Sequence, residues 1–233
     1  MNRGPGITVS GRGLRYAYGR DEAVGGVDID VRSGEIVALM GPSGSGKSTL
    51  LHLLAGLLTP DHGQVHLSGE RIDHRTERAR AEARLRRMGF VFQFGDLVPE
   101  LTLVENVELP LRLLGQRRSP ARRLALDLMA TLDIADLAGR RLNEVSGGQA
   151  QRAAVARALI HSPEVVFADE PTGSLDTLAG EQVLEALIGA ARETRAAVIL
   201  VTHEMSVAAF ADRDVQMRDG LLRTPAAHLP EAP

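Results

Sequence analysis

The 233-residue chain contains no cysteine and no tryptophan, and aromatic residues make up only 3% of it. The lack of cysteine excludes a disulfide scaffold, a cysteine nucleophile and any thiolate metal site. So few rings argue against base-stacking platforms for nucleic acid. No apolar run reaches the ~18–20 residues a membrane helix needs; the longest, residues 50–58 and 196–201, fall well short. Residues 1–13 are glycine-rich and carry no apolar core of a secretory signal, so a cytoplasmic chain is expected. Lysine is nearly absent too: Lys47 is the single lysine among 27 basic residues, the rest being arginine.

What is present is a globular balance, with 44% hydrophobic and 24% charged residues and a net charge of −3. A mildly acidic chain has no general attraction for nucleic acid. The arginine-rich stretch over 75–87 is broken up by Glu77 and Glu82 and reads as a solvated helix with internal ion pairs. His62 and His66 have no third histidine or carboxylate cluster to complete a metal site.

Short strands are predicted over 7–9, 14–18, 27–31 and 36–40, the last a continuous apolar run of the kind buried on both faces. A helix is predicted over 47–57, a strand over 65–67, a helix over 76–88 and a strand over 90–92. Residues 101–137 read as helical, interrupted near Gly115 and Pro120. Then follow a helix over 147–161, a strand over 165–169, a helix over 177–194 and a strand over 197–202. Strands alternating with helices imply a mainly parallel α/β sheet, with the helical middle as an insertion.

Gly41, Pro42, Ser43, Gly44, Ser45, Gly46, Lys47, Ser48 and Thr49 match the phosphate-binding pattern G-x-x-x-x-G-K-[ST], between a predicted buried strand and a predicted helix. Glycines let backbone N–H groups turn in around phosphates, and the helix N-terminus adds about +0.5 charge. Lys47 is placed to reach the β- and γ-phosphates, and Ser48 to offer a hydroxyl to Mg²⁺. A lysine ammonium is a compact point charge where a guanidinium is a broad fork, which accounts for lysine at this one position. Further on, the apolar run 165–168 ends in Asp169 and Glu170. Such a strand end suits a metal-holding acid followed by a general base, although an acidic strand end or helix cap has the same pattern. Ser146, Gly147, Gly148 and Gln149 open a predicted helix as a second anion cradle or as a simple N-cap.

In order, Tyr18, the 41–49 loop, Gln93, Ser146-Gly147-Gly148-Gln149, Asp169-Glu170, Asp176 and His203 resemble the motifs of the nucleotide-binding subunit of ATP-binding-cassette (ABC) transporters, and they span most of the chain. The resemblance implies one ABC-type ATP-binding domain over 1–233. That domain has a RecA-like P-loop NTPase core, an antiparallel β-subdomain before Gly41, an inserted α-helical subdomain at about 95–150 and a flexible tail at about 224–233. It further implies that Tyr18 stacks on adenine, though a strand tyrosine packed locally is the alternative. Gln93 would contact Mg²⁺ and the attacking water, Asp169 would hold Mg²⁺ with Ser48, and Glu170 would act as general base. His203 would hydrogen-bond the γ-phosphate. Ser146 and Gly148 would reach the nucleotide of a second copy. Asp176 would lie at the subunit interface, cap the following helix, or do both. Val145 and Ala150 stand where the family more often has Leu and Gln or Glu, changes that touch no expected catalytic atom.

The stretch Asp169-Glu-Pro-Thr-Gly-Ser-Leu-Asp176 and the residues after Phe92 resemble the lipoprotein-release, macrolide-efflux and cell-division group (LolD, MacB and FtsE). The implied protein is an ATP hydrolase that uses ATP and Mg²⁺, dimerises head-to-tail, binds no nucleic acid and drives a separate membrane permease from the inner face of the plasma membrane. A mechanical or signalling ATPase that controls a membrane-bound hydrolase or sensor uses the same chemistry and stands as the alternative. Phe94, Leu97, Val98, Leu101 and Leu103 either line a groove for the permease or pack the helical subdomain.

Overall fold

The computed structural model describes residues 6–93 and 97–223; Phe94 and the expected tail over 224–233 lie outside the described residues. Two sheets organise the chain. The first is antiparallel, in the order β2-β1-β4-β5, from β1 (Ile7–Tyr18), β2 (Asp21–Arg32), β4 (His62–Leu67) and β5 (Glu70–Arg71). The second has the order β10-β9-β3-β8-β7-β6. Its strands β3 (Ile36–Met40), β6 (Met88–Phe92), β7 (Val165–Asp169), β8 (Ala197–Thr202) and β9 (Arg213–Arg218) run parallel, and β10 (Leu221–Arg223) closes one edge antiparallel.

Apolar residues of both parities explain why this sheet is buried on both sides. Val165, Phe167, Ile199 and Val201 join one core with α1 (Lys47–Leu54) and the inner face of the antiparallel sheet. Their neighbours Val166, Ala168, Val198 and Leu200 join a second core with α5 (Gly147–Leu159) and α6 (Thr177–Thr194). A strand with both faces covered must be apolar at every position, which is the continuous pattern seen in β3, β7 and β8.

The helical insertion comprises α3 (Leu103–Leu113) and α4 (Arg118–Thr131), followed by two short 3₁₀ turns. Thr102 and Glu105 form a capping box at the start of α3. Gly115 separates the two helices, with φ of +86°. Pro120 does not interrupt: it sits in the first turn of α4, where its missing N–H has no intrahelical partner to lose. Two further helices complete the described chain, α2 (Glu77–Arg87) and the single turn α7 (Met205–Ala208).

The structure departs from the sequence pattern elsewhere too. The two strands predicted over 7–18 are one, because Gly11-Arg12-Gly13 forms a bulge instead of a turn. Arg12 donates to Ile29 O, and the Gly13 N–H to Asp28, which keeps the strand attached. The helix predicted to Leu57 stops at Leu54, since Gly56 turns left-handed at φ +62° and Leu57 N–H bonds back to His52 O. The antiparallel sheet is also not confined to residues before Gly41. The β1–β2 hairpin leaves one edge of β1 unpaired, and β4, which follows α1, pairs along it.

Candidate functional site

The parallel register lines up the C-terminal ends of four strands. Met40 pairs with Thr202, Val201 with Asp169, and Asp169 with Phe92. The residues that follow those ends are therefore neighbours along one sheet edge: Gly41 after β3, His203 after β8, Glu170 after β7 and Gln93 after β6. Ligands bind outside such carboxyl ends in open α/β sheets.

The loop after β3 is held tightly from outside. A Cβ on Gly41 would come within 2.1 Å of Met217 O, and one on Gly46 within 2.1 Å of Ala23 O. Both glycines also have positive φ, +148° and +99°. Gly220, in the β9–β10 turn, adds a brace by donating to Ser45 O and accepting from Gly25 N–H. The helix that follows has a glycine N-cap with no side-chain acceptor, whereas Thr76, Thr102, Ser146 and Asp176 cap α2, α3, α5 and α6. The first N–H groups of α1 thus lack a side-chain acceptor, the arrangement that suits an anion. Lys47 is 7% exposed, and its ammonium donates to Gly41 O at 2.7 Å and Pro42 O at 2.9 Å. One N–H of the ammonium remains for a further acceptor.

A cleft of about 400 Å³ opens beside this loop, lined by Tyr18, Ser43, Gly44, Lys47, Ser48, Thr49 and Glu170 among others. Tyr18 is more than half exposed at its rim and packs edge-on to Tyr16 at 5.0 Å, so it makes the local contact and still presents a ring to the cleft. Glu170 has φ of +47°, uncommon for a residue with a Cβ, and its N–H bonds to Val201 O. His203 Nδ1–H donates to Glu170 Oε1 at 2.8 Å. That hydrogen bond, helped by the carboxylate charge, raises the His203 pKa above the usual histidine value, while Lys47 opposes it weakly. In the protonated ring both nitrogens donate, so Nε2–H is then a second donor.

The donors at the strand ends suit a magnesium ion. Asp169 Oδ1 is buried without a hydrogen-bond partner among the described residues, as is Ser45 Oγ. With the Ser48 hydroxyl and the Gln93 amide oxygen, the set is all hard oxygen. No group of three or more His, Cys, Asp or Glu side chains gathers among the described residues.

Ser146, Gly147, Gly148, Gln149 and Asp176 do not line this cleft. Ser146 and Gln149 form a capping box at the start of α5, Gln149 accepting from Ser146 N–H at 2.9 Å. The Ser146 oxygen accepts from Gln149 N–H at 3.3 Å, which leaves its own O–H to donate. The glycines allow close packing: a Cβ on Gly147 would meet Leu175 at 3.2 Å, and one on Gly148 would meet Ala179 at 3.2 Å. Asp176 caps α6 by accepting from Ala179 N–H at 2.9 Å.

The expected groove residues separate. Leu97 and Leu103 are buried in the core with the helical insertion, so they pack the subdomain. An apolar cavity of about 340 Å³ lies elsewhere, between Leu57, Leu85, Phe90, Phe92, Pro110 and His161. Burial lowers the His161 pKa, partly offset by its hydrogen bond to Met88 O. Two buried amides escaped the motif search. Asn106 accepts from Val98 N–H and donates to Val98 O and Thr102 O, which fastens the far end of the loop after Gln93. Gln151 donates to Phe92 O and Pro171 O. Each is a polar residue on the apolar side of its helix, and that misplaced polarity is the signal a pattern search could have used.

A family model described as ABC transporter matches residues 24–173. The lipoprotein-releasing system ATP-binding protein LolD of Porphyromonas gingivalis is 42% identical over 93% of this chain and 99% of its own length. LolD 2 of Caulobacter vibrioides is 44% identical, covering 91% of this chain and 94% of that protein. Among solved structures, a dimeric ATP-binding cassette in a post-hydrolysis state, bound to ADP and Pi, superposes with a TM-score of 0.84 at 34% identity, covering 93% of this chain and 97% of that one.

Two measurements check this geometry. Lys47→Arg keeps the charge but puts a broad planar fork where a compact ammonium is held between the Gly41 and Pro42 carbonyls. Nucleotide affinity should fall about 10- to 100-fold, the worth of one or two charge-assisted hydrogen bonds. A fluorescent-nucleotide titration reads this, and wild-type affinity would mean that the ammonium's shape is irrelevant. For His203, the raised pKa means that the charged pair with Glu170 is present at low pH and lost as pH rises through the His203 pKa. Glu170→Gln removes the carboxylate, so the His203 ring should titrate at lower pH in an NMR titration; an unchanged midpoint would remove Glu170 as the cause.

Proposed function

Since the chain belongs to the ABC transporter ATP-binding family, as an ATP hydrolase of its LolD group, we propose that two copies close head-to-tail over two MgATP and drive a separate membrane permease of the lipoprotein-release or macrolide-efflux type. The observation that carries this reading is a division of the site. Lys47 and Glu170 line one cleft and His203 is hydrogen-bonded to Glu170, whereas the Ser146 hydroxyl and the glycine-led start of α5 do not line it. A nucleotide in the cleft then reaches the second cradle only on another copy.

In this reading Lys47 and the N–H groups at the start of α1 hold the β- and γ-phosphates. Ser48, Gln93 and Asp169 would hold the magnesium ion, which would supply positive charge to the phosphates. Glu170, aimed by its left-handed backbone, takes a proton from the attacking water. His203, held by Glu170 at Nδ1, donates from Nε2 to the γ-phosphate. Ser146 donates its O–H to the same phosphate from the other copy, and the Gly148 N–H adds to it. Tyr18 covers the adenine. Loss of the γ-phosphate removes the bridge between copies, so hydrolysis opens the dimer.

One feature supports the permease reading. The apolar cavity beside Phe90 and Phe92 sits on the strand that leads into Gln93, so an apolar segment docked there would press on a group of the hydrolytic site. We place the chain on the inner face of the plasma membrane for that purpose.

Two variants test the dimer and the base. Glu170→Gln should bind ATP, turn it over at least about 100-fold more slowly, as removal of a general base does, and accumulate as a dimer on size exclusion with MgATP. Near-normal phosphate release would refute the base assignment. Ser146→Arg should abolish ATP-dependent dimerisation and leave binding of one nucleotide per chain intact; if nucleotide binding disappears too, the second cradle does not belong to the other copy.

A further inference from the structure

Gln151 lies in α5, the helix that begins with the second anion cradle, and its side chain is 3% exposed. Its Nε2 donates one hydrogen to Phe92 O and the other to Pro171 O, both at 2.8 Å. Both partners are carbonyls, so the amide can face them only with its nitrogen. Phe92 is the residue before Gln93, and Pro171 is the residue after Glu170. The two segments leave adjacent parallel strands at paired positions, Phe92 opposite Asp169, where the ladder ends among the described residues. Gln151 supplies the missing tie and anchors it to α5.

Neighbouring residues complete the same seat. Ser174 Oγ donates to Gln93 O at 3.0 Å. Gly173 leaves room for the Gln93 side chain, since a Cβ there would come within 2.9 Å of its Nε2. Gln93, Glu170 and the start of α5 are thereby linked through one buried amide.

We propose that Gln151 is a positioning residue for hydrolysis: it joins the Ser146 helix of one site to Gln93 and Glu170 of the other site on the same chain, so that closure of the first sets the geometry of the second. The proposal rests on the roles given above to Gln93, Glu170 and Ser146. Gln151 itself touches neither substrate nor metal.

The test uses the full chain with MgATP and compares Gln151→Met, which keeps the length and removes both donors, with Gln151→Glu, which keeps the shape and sets an acceptor against two carbonyls. Glu170→Gln and Gln93→Ala run in parallel. For Gln151→Met, kcat should fall by about tenfold or more, the scale expected from small misplacement of reacting groups, while KM stays within about threefold and the melting temperature shows a stable fold. For Gln151→Glu, the kcat relative to wild type should rise as pH is lowered from about 8 to about 6, because a buried carboxyl regains a proton in that range and with it one donor. A Gln151→Met enzyme with wild-type kcat overturns the proposal. So does a loss of kcat that tracks loss of folding and nucleotide binding, with a flat pH ratio for Gln151→Glu, since that describes a residue needed only for stability. If Glu170→Gln and Gln93→Ala also turn over normally, the underlying assignment of the site is at fault instead.

Discussion

The site depends on the parallel pairing of β3, β8, β7 and β6. Parallel strands need long crossovers, and those crossovers bring helices onto both faces of the sheet. Burial on both faces then determines the register, because a slip of one residue would exchange the side chains committed to the α1 core with those committed to the α5 and α6 core. Once the register is set, the ends of the strands align, and Gly41, His203, Glu170 and Gln93 are brought together from positions spread over more than half the chain. The candidate site follows from how the sheet is buried.

Electrostatics refines what burial assembles. Three groups with different charge behaviour meet near one cleft: the Lys47 ammonium, the Glu170 carboxylate and the His203 imidazole. Glu170 holds His203 towards its charged form, and Lys47 pulls weakly the other way. Lys47 is itself held by two carbonyls of its own loop, which keeps a buried cation hydrogen-bonded. A chain that otherwise uses arginine for positive charge has lysine at the position where a compact ammonium sits between those carbonyls.

Local patterns were legible wherever the chemistry is local. The strands over 165–169 and 197–202 and the helix over 177–194 have the bounds the pattern predicts, since a continuous apolar run and an aspartate cap leave little choice. The bulge at Gly11-Arg12-Gly13 was not legible. The same three residues make a turn unless a partner strand supplies acceptors, and those acceptors, Ile29 O and Asp28, lie in β2. Asn106 and Gln151 were missed for a related reason. A lone amide on an apolar helix face shows that something polar waits opposite it, but not which carbonyls those are.

By itself the sequence determined which residues are candidates for the chemistry. The glycine-rich loop with its single lysine and the paired acids after an apolar strand are contiguous features, visible from residue type and spacing. Tertiary structure alone decided which of them share a cleft, that Ser146 stands outside it, that Leu97 and Leu103 belong to the core while the exposed apolar cavity lies beside β6, and that one glutamine ties three elements together. The division has a physical origin. Phosphate loops and helix caps are satisfied by backbone groups a few residues away, whereas a shared cleft and a buried amide need partners that only strand register and helix packing bring within about 3 Å.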